Sequence, residues 1–335
     1  MERLTRARLD EILERSRGLR VAVVGDVMLD VYLIGSVSRI SPEAPVPVVH
    51  VTEERFALGG AANVAANVAA LGAECRLVGL VGADESGRRI RATLAALEGG
   101  PIHATLVERA DRPTTTKTRV MARSHQVVRF DHERADEVAE ACADELCAAV
   151  RDAVAGSDAL VLEDYDKGVL VPAVIRAALD AAAEAGIPSV VDPKFRNFMS
   201  YAGATVFKPN ALELGAALGA HVRADDDAWL EAARARVDAR HLLLTLGEDG
   251  MALASAGAAP LRIPAVARDV FDVSGAGDTV TAFVAVALAA GASIEEAATL
   301  ANLAAGIEVG KHGVAVVTPD EVRELLESRG PSPRA

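Results

Sequence analysis

The segment DVSGAGDTVTAF, residues 272–283, places Gly275, Ala276 and Gly277 directly before Asp278, where an apolar helix is predicted to begin. Glycines let backbone amides approach a ligand closely, and the amides of a helix N-terminus attract anions such as phosphate. An aspartate beside such a site has a use as a general base that takes a proton from a hydroxyl group. The alternative interpretation is an ordinary capped helix start.

Short apolar segments that end in polar or glycine-containing turns alternate with helical segments along most of the chain. This alternation predicts a mainly parallel sheet with helices on both faces, whose ligands bind at the carboxyl ends of the strands. We expect a single domain over residues 1–330 and a frayed tail at 331–335. Residues of about 32–55 and 101–131 have strand patterns outside this alternation, and they predict a small β-sheet lid.

The composition excludes several classes of protein. The chain has 335 residues and a formal net charge of -13, which argues against non-specific binding to nucleic acid or to an anionic membrane surface. No segment is long and apolar enough for a transmembrane helix. Cys75, Cys142 and Cys147 lack metal-ligand spacing and are expected to be structural thiols in a reducing cytoplasm. Walker, GxGxxG and GxSxG motifs are missing, which disfavours P-loop NTPases and Rossmann dehydrogenases.

Two segments closely resemble the signatures of the PfkB/ribokinase family of sugar kinases: GGAANVAANVAALG near the N-terminus and DVSGAGDTVTAF near the C-terminus. The resemblance covers nearly the whole chain. It implies a ribokinase-like three-layer α/β/α domain with a mainly parallel sheet and a β-sheet lid, which uses ATP and Mg²⁺ to phosphorylate a sugar. It also implies that Asp278 is the catalytic base and that the amides of residues 274–277 form an anion hole.

The same resemblance implies which residues contact the two substrates. The residues expected at the sugar are Asp26, Asp30, Gly59, Gly60 and Asn63. The residues expected at the nucleotide are Asn210, Glu213, Thr245, Gly247, Gly250, Asn302 and Gly306. Glu213 would organise Mg²⁺ through water, and Asp272 would belong to a loop for a monovalent cation such as K⁺. Taken singly, these motifs are also explained as strand-end turns, helix starts and a hairpin.

Three lysines follow predicted strands at the carboxyl edge of the sheet. We assign Lys167 and Lys194 to contacts with the phosphates of ATP, because that edge is where ligands bind in such folds. Lys208 precedes a Pro-Asn pair where the family more usually has threonine, and its role stays open.

The segment GSVSRISPEAPVPVV, together with DYDKG and DPKF, resembles the kinase part of the enzymes that make ADP-activated heptose. This implies phosphorylation of the anomeric hydroxyl of D-glycero-D-manno-heptose 7-phosphate to the 1,7-bisphosphate, a step toward the lipopolysaccharide core. The sequence predicts a stand-alone kinase without the nucleotidyltransferase domain of many relatives. The alternatives are another PfkB kinase, acting on a hexose phosphate, ribose or a nucleoside, and a non-catalytic sugar-binding protein with the same fold.

A substrate that already carries a phosphate needs cations to bind it. Lys117, Arg119 and Arg123 recur at period two, so on one strand they would share a face and could clamp that phosphate. Arg39, in the predicted lid, would join them. The alternative is a solvated strand face. The expected partners are therefore the sugar phosphate and ATP, and the resemblance also implies a cytoplasmic homodimer formed through the lid sheets.

Overall fold

The computed structural model describes residues 4–123, 125–266 and 270–328. The strands are, in chain order, β1 Arg20–Gly25, β2 Val27–Ile40, β3 Pro47–Gly60, β4 Glu74–Gly82, β5 Ile102–Arg109, β6 Thr115–Ala122, β7 His125–His132, β8 Ala159–Glu163, β9 Ser189–Asp192, β10 Val206–Phe207, β11 His241–Thr245, β12 Met251–Ser255 and β13 Leu261–Ile263. The helices are α1 Arg6–Arg15, α2 Ala61–Ala70, α3 Glu85–Ala96, α4 Glu140–Val154, α5 Pro172–Ala185, α6 Ala211–Leu218, α7 Asp227–Arg236, α8 Ala276–Ala289, α9 Ile294–Glu308 and α10 Pro319–Ser328.

The centre of the molecule is a large sheet. Over the described ranges it has nine strands in the order β13-β12-β11-β10-β9-β8-β1-β4-β5. The pairs from β5 to β11 are parallel, whereas β12 pairs antiparallel with both β11 and β13. Strand β1 has an uninterrupted apolar run that is completely buried, as expected for a parallel strand with both faces covered.

Helices cover the large sheet on both faces, because the side chains of each strand alternate between two separate cores. Val21 and Val23 of β1 pack in one core with α1, α2, α8 and α9. Ala22 and Val24 pack in the other core with α4, α5 and α7. The predicted three-layer α/β/α fold with a mainly parallel sheet is therefore confirmed.

A second, smaller sheet forms the lid. In the part of the chain that is described, its strand order is β3-β2-β6-β7. Strands β2 and β3 form a long antiparallel hairpin, β6 runs parallel to β2, and β7 returns antiparallel to β6. These strands use residues from both predicted lid segments.

The second segment of the predicted lid, residues of about 101–131, includes a strand that belongs to the large sheet. Residues 102–109, expected in the lid, form β5 and pair in parallel with β4 at the edge of the large sheet. The reason is burial: Leu106 packs into one core of the large sheet and Val107 into the other, so this strand is covered on both faces. The lid begins its second segment only at Thr115.

Three further expectations concern regions outside the sheets. Cys75, Cys142 and Cys147 are free and buried, as structural thiols would be. Among the described helices, none has the length and apolar character that crossing a membrane requires. The predicted frayed tail, residues 331–335, lies outside the described residues.

Candidate active site

The carboxyl edge of the large sheet carries a concentration of polar side chains. Asp26 follows β1, Glu163 ends β8, Asp192 ends β9 and Lys208 follows β10. Strands β8 and β9 end at the same level, since Glu163 and Asp192 are register partners. The N-terminal end of α8 packs above β8 and β9 and brings Asp278 to this edge. The fold thus collects the predicted base and several carboxylates where parallel α/β sheets bind ligands.

Asp278 lies in the first turn of α8 and is almost fully buried. The hydroxyl of Tyr165 donates a hydrogen bond to its Oδ1 at 2.6 Å, and Nδ2 of Asn63 donates to its Oδ2 at 2.8 Å. The side-chain amide of Asn67 donates to Oδ1 of Asn63 at 3.2 Å, which turns the Nδ2 of Asn63 toward the aspartate. The predicted base is therefore held on both oxygens by donors from α2 and the loop after β8.

The protonation states around Asp278 suit proton transfer. Burial raises the pKa of Asp278 to about 6, while the hydrogen bonds from Tyr165 and Asn63 lower it. Burial, followed by the nearby charge of Asp278, raises the pKa of Tyr165, so its hydroxyl keeps the proton that it donates. At neutral pH a carboxyl group with a pKa of about 6 is mostly ionised, and a pKa this near neutrality suits a general base.

The backbone conformation at the start of α8 favours glycine at position 275. Gly275 is the N-cap residue and has φ 93°, in the left-handed region that glycine adopts without strain. A Cβ there would lie 3.0 Å from Nδ2 of Asn63. Ala276 and Gly277 form the first turn, and a Cβ on Gly277 would lie 3.6 Å from Nζ of Lys208. The predicted anion hole is therefore a helix N-terminus beside Asp278 and a buried ammonium group.

A cavity of about 200 Å³ opens between this helix start and the lid. Its lining residues are Met28, Asp30, Gly60, Lys117, Arg119, Arg129, Tyr165, Ser274, Gly275, Asp278 and Val314. Lys117 is 3.5 Å from Oδ2 of Asp131, and Arg129 donates to the same atom at 3.1 Å. The cavity thus has the predicted base on one wall and cationic side chains of β6 and β7 on another.

Asp30 and Arg119 form a buried ion pair between neighbouring strands of the lid. The guanidinium of Arg119 donates to Oδ1 of Asp30, so part of the predicted phosphate clamp is already neutralised. Gly59 is required beside this pair, because a Cβ at this position would lie 2.3 Å from Oδ2 of Asp30. Gly60 has φ 57°, precedes α2 and lines the cavity.

Four predicted sugar or phosphate residues are placed elsewhere. Asp26 does not reach the cavity, because its buried carboxylate accepts backbone hydrogen bonds from Tyr165, Lys167 and Val169. Lys167 donates to Oε1 of Glu133 at 2.8 Å, and Oε2 of the same residue lies 3.9 Å from Nζ of the lid residue Lys117. The remaining two, Arg39 and Arg123, belong to the lid but do not line the cavity. Arg39 is exposed near the tip of β2, and Arg123 is an exposed turn residue after β6 with φ 56°.

Arg123 leaves the predicted row because the strand does not continue to it. The pairing of β6 with β7 has a register shift between Val120 and Met121, and β6 ends at Ala122. The shift leaves an extra residue in β7, whereas β6 pairs with β2 without a shift as far as Ala122, so Arg123 leaves the row because it is the turn residue after the strand, with φ 56°. Lys117 and Arg119 precede the shift and line the cavity, and Arg129 of β7 lines it where Arg123 was expected.

The predicted magnesium motif is a capping box at the start of α6. The side chain of Asn210 accepts from the amide of Glu213 at 2.8 Å, and Oε2 of Glu213 accepts from the amide of Asn210 at 2.9 Å. Oε1 of Glu213 accepts from Nζ of Lys194 at 2.5 Å. Burial lowers the pKa of Lys194, but Glu213 outweighs it and raises the pKa. Both oxygens of Glu213 are thus engaged by the protein itself.

The other predicted nucleotide residues lie in the hairpin of β11 and β12, in α9 and just before α8. Thr245 ends β11, and Gly247 and Gly250 bound the short 3₁₀ turn that joins β11 to β12 in a hairpin. Asn302 of α9 donates from Nδ2 to the carbonyl of Pro264 at 2.8 Å. The last two residues lie near the end of α9 and the start of α8. Gly306 is inside α9, and Oδ1 of Asp272 accepts from the amide of Ser274 at 2.9 Å.

Several residues of the site were missed by the sequence interpretation. Tyr165 and Glu163 lie in LEDYDKG, and Asp192 lies in DPKF, segments from which only the lysines were assigned. Their positions at strand ends were a usable signal, since side chains at the carboxyl edge of a parallel sheet face the ligand. Arg129 had no such signal, because its place in the cavity depends on the register of β7 against β6.

The model of the pfkB family of carbohydrate kinases matches residues 19–321 of this chain. This protein is a PfkB family carbohydrate kinase. The alternative of a non-catalytic sugar-binding protein is thereby set aside.

Curated relatives of this kinase share about half of its sequence. It is 51% identical over 310 residues to the "Bifunctional protein HldE" of Azorhizobium caulinodans, and 49% identical over 316 residues to that of Caulobacter vibrioides. The alignments cover 92% and 93% of this chain, respectively, but only 64% of either relative. The chain therefore spans somewhat less than two thirds of the length of the curated relatives it matches.

Solved structures confirm the fold of the kinase. The ribokinase of Arabidopsis thaliana, determined with ribose and ATP, has a TM-score of 0.70 at 23% identity. Phosphofructokinase-2 of Escherichia coli, determined with potassium, has a TM-score of 0.76 at 19% identity. Each likeness covers 93% of this chain and 99% of the other. At this level of identity the likeness establishes a ribokinase-like fold and nothing finer.

Proposed function

We propose that this kinase transfers a phosphoryl group from ATP to the anomeric hydroxyl of D-glycero-D-manno-heptose 7-phosphate, giving the 1,7-bisphosphate used in ADP-heptose and lipopolysaccharide core synthesis. The observation that carries the proposal is a single cavity with a buried carboxylate, Asp278, on one wall and the lid cations Lys117 and Arg129 on another. The identity of about one half to proteins named HldE supports the same substrate.

In this mechanism Asp278 accepts the proton of the sugar hydroxyl as the oxygen attacks the phosphoryl group. Tyr165 and Asn63 hold the carboxylate and leave lone pairs free for the substrate, because an ionised carboxylate can accept about four hydrogen bonds. The amides of Gly275 and Gly277 would stabilise the negative charge that develops on the transferred group, because the amide of Ser274 already donates to Asp272 and that of Ala276 to the carbonyl of Val273. Deprotonation and charge stabilisation are thus combined within one helical turn.

Bound ATP would supply the phosphoryl group, and Mg²⁺ would offset its charge. The residues proposed to receive the nucleotide are Lys194 and the hairpin of residues 245–251, none of which lines the cavity between α8 and the lid. Lys194 is 30% exposed in its side chain, so it is accessible to a phosphate while it pairs with Glu213. A loop that includes Asp272 is the proposed place for a monovalent cation such as K⁺.

The phosphate already present on the sugar would bind to Lys117 and Arg129. Nζ of Lys117 lies 3.5 Å from Oδ2 of Asp131 and 3.9 Å from Oε2 of Glu133, and Arg129 donates to Asp131 at 3.1 Å. A doubly charged phosphate would compete with these carboxylates for both cations. Arg119 instead holds Asp30 in position by donating a hydrogen bond to its carboxylate. Asp30 would accept hydrogen bonds from sugar hydroxyls. In this proposal Lys117 and Arg129 bind the phosphate, in place of the row of Lys117, Arg119 and Arg123 that the sequence predicted.

A panel of acceptors tests the substrate. ADP release would be measured with heptose 7-phosphate, unphosphorylated heptose, fructose phosphates, ribose and adenosine. We expect heptose 7-phosphate to have the highest kcat/KM and unphosphorylated heptose to lose most of it. A preference for ribose or adenosine would favour the alternative, a PfkB kinase for a sugar without a phosphate or for a nucleoside.

We also propose a cytoplasmic homodimer that is formed through the lids. The lid exposes several large apolar side chains, which supports an interface there. Those more than one third exposed are Val37, Ile40, Val46, Val51, Val127, Val128 and Phe130. Light scattering during size-exclusion chromatography would give the number of chains.

A further inference from the structure

Asp26, the residue between β1 and β2, is a buried acid whose carboxylate binds the backbone of another segment. The residue is only 1% exposed. Its Oδ2 accepts hydrogen bonds from the amides of Tyr165 at 2.8 Å and Lys167 at 2.9 Å, and its Oδ1 accepts from the amide of Val169 at 3.2 Å. A carboxylate taken out of water needs such partners, so these bonds satisfy Asp26 without a substrate.

The three amides belong to the loop that follows β8, residues 164–169, which has an unusual backbone. Asp166 has φ 57° and Gly168 has φ 91°, both in the left-handed region. For a residue other than glycine this region costs energy, and it persists where the surrounding contacts impose it. Asp26 binds the amides on either side of Asp166, so its carboxylate holds the loop in this shape.

The backbone of Asp26 holds the start of α2 at the same place. Its carbonyl accepts a hydrogen bond at 3.0 Å from the amide of Ala61, the first residue of α2. A Cβ on Gly60 would lie 2.4 Å from that carbonyl oxygen and 3.5 Å from Cδ2 of Tyr165. The helix start, Asp26 and the ring of Tyr165 are therefore packed around Gly60 with no space for a side chain there.

The two elements that meet on Asp26 are those that hold the proposed base. Asn63, in the first turn of α2, donates to Oδ2 of Asp278 at 2.8 Å, and Tyr165 donates to Oδ1 at 2.6 Å. Asn63 follows Ala61 by two positions, and the amide of Tyr165 is itself bonded to Asp26. The positions of both donors relative to the base therefore depend on one buried residue.

We propose that Asp26 is a positioning residue, which fixes the loop of residues 164–169 and the start of α2 so that Tyr165 and Asn63 both reach Asp278. This role replaces the one expected from the sequence, a direct contact with the sugar. The proposal rests on the proposed function in one respect, that Asp278 is the general base, and it does not depend on which sugar is phosphorylated.

The charges around Asp26 and Asp278 make the sign of the effect informative. Burial raises the pKa of Asp26, while the amide bonds from Lys167, Tyr165 and Val169 lower it. Removing the charge of Asp26 would by itself lower the pKa of Asp278, because it removes a like charge. Loss of the hydrogen bond from Tyr165 would raise that pKa instead, since burial raises it and this bond lowers it. The other titratable groups near Asp26 are Asp164, Lys167 and Tyr201, and those near Asp278 are Glu163, Asp192, Lys208 and Glu308.

The first test is the pH profile of kcat/KM for Asp26→Asn, measured with heptose 7-phosphate or with the acceptor that the panel shows to be best. Asparagine keeps the shape of the side chain, but its amide nitrogen cannot accept a hydrogen bond. The inflection near pH 6 should move up by at least about half a pH unit, because the loop no longer holds Tyr165 on the base. The KM for the sugar phosphate should change by less than about threefold, because Asp26 touches no substrate. In a Tyr165→Phe background, Asp26→Asn should add less to the shift than it does alone, because both changes act on one contact.

Carbon NMR of labelled tyrosine gives a second readout that needs neither substrate. The chain has three tyrosines, Tyr32, Tyr165 and Tyr201, and Tyr165→Phe assigns the signal of Tyr165 by removing it. In the wild type this Cζ signal should titrate near pH 6, together with the carboxylate that accepts its hydrogen bond. The titration should shrink in Asp26→Asn. Asp164→Asn is the matched control and should keep it, since Asp164 is another buried acid bonded to the same loop, through the amide of Asp166.

Three results would each overturn the proposal for folded Asp26→Asn. They are an inflection that stays or moves down, an unaltered titration of the Tyr165 signal, and a rise of about tenfold in the KM for the sugar phosphate with an unchanged pH profile, which would return Asp26 to the sugar. Should Asp26→Asn fail to fold, Asp26→Ser takes its place. Failure of the proposed base would be seen separately, as near-normal turnover of Asp278→Asn, and the NMR titration would still test the contact.

Discussion

At the scale of single residues, the local motif around Asp278 could be found from the sequence, but its partners could not. The run Gly-Ala-Gly-Asp before an apolar segment is contiguous, so its chemistry could be read locally. Tyr165 is separated from Asp278 by 113 positions, and its hydroxyl reaches the carboxylate only because β8 ends below α8. Such a contact depends on the topology of the sheet and not on any pattern within a segment.

Tyr165→Phe tests whether this hydroxyl positions and tunes the base. The hydrogen bond from Tyr165 lowers the pKa of Asp278, which lies at about 6 in its presence. An ionised base is needed, so kcat/KM should rise as the pH increases through about 6 in the wild type. Removing the hydroxyl should move this rise to higher pH by about one to two units, because a hydrogen bond to a charged group contributes roughly 1.5–3 kcal/mol.

Tyr201→Phe is the matched control for this pH profile. Tyr201 also donates to a buried carboxylate, Oδ2 of Asp164 at 2.6 Å, but neither residue lines the cavity. Its profile should keep the inflection of the wild type. An unshifted profile for Tyr165→Phe would contradict a positioning role for Tyr165.

At the scale of elements, the strand LRVAVVG and the helix that follows Gly275 agree with their predicted positions. These elements have buried apolar runs or strong local signals, so the sequence determines them. The period-two argument for Lys117, Arg119 and Arg123 assumed a strand that continues to Arg123, whereas β6 ends at Ala122. The end of this strand was not recognised from the sequence, so Arg123 was predicted where Arg129 lies.

The lid cations give a prediction at this scale. Lys117→Ala and Arg129→Ala should each raise the KM for the sugar phosphate by about tenfold, the effect of losing one charged contact of about 1.4 kcal/mol. The KM for ATP should change little, because the proposed nucleotide residues, Lys194 and 245–251, do not line this cavity. Arg123→Ala is the control, since Arg123 is exposed and outside the cavity lining. Initial rates with each substrate varied would separate the two constants.

Two results would contradict the clamp. One is an equal rise in both KM values for the Lys117 and Arg129 variants. The other is a larger effect of Arg123→Ala on the sugar phosphate than of Arg129→Ala, which would restore the row predicted from the sequence.

At the scale of the whole molecule, a buried glutamate makes stability depend on pH. Glu308, in α9, has 0% exposure and no hydrogen-bond partner for its carboxylate in the described ranges. Burial, followed by the charges of Asp278 and Asp272, raises its pKa to about 8. Between its unfolded pKa and about 8, the folded protein therefore holds a proton that the unfolded chain has lost.

The sign of the effect follows from this difference in bound protons. The contribution of Glu308 to the free energy of unfolding is greatest below its unfolded pKa and declines as the pH rises, by up to about 1.4 kcal/mol per pH unit. Glu308→Gln removes that decline. The variant should gain stability relative to the wild type between pH 5 and pH 8, as measured by urea denaturation at both values.

The exposed acid Glu324 provides the comparison for this measurement. Glu324→Gln lies on α10 and should change stability by a similar small amount at both pH values. A difference between wild type and Glu308→Gln that is the same at pH 5 and pH 8 would show that Glu308 does not hold the proton.

The arrangement of the whole chain was largely predictable, whereas the division between its two sheets was not. Alternating strands and helices predict the three-layer fold, because each parallel strand must be covered on both faces. The strand at Ile102–Arg109 was assigned to the lid since it lies next to β6 in sequence. It pairs with β4 at the edge of the large sheet. The sheet that a strand joins depends on contacts between distant segments, and no local sequence pattern indicates it.

The central claim, that Asp278 is the general base of a sugar kinase, is tested most directly by the turnover of Asp278→Asn with ATP and heptose 7-phosphate. We expect kcat to fall by about two or more orders of magnitude while the affinity for ATP, measured by calorimetry, stays nearly unchanged. Asp164→Asn, which neutralises another buried carboxylate bonded to a tyrosine, should keep most of its turnover. Near-normal turnover of folded Asp278→Asn would contradict the account.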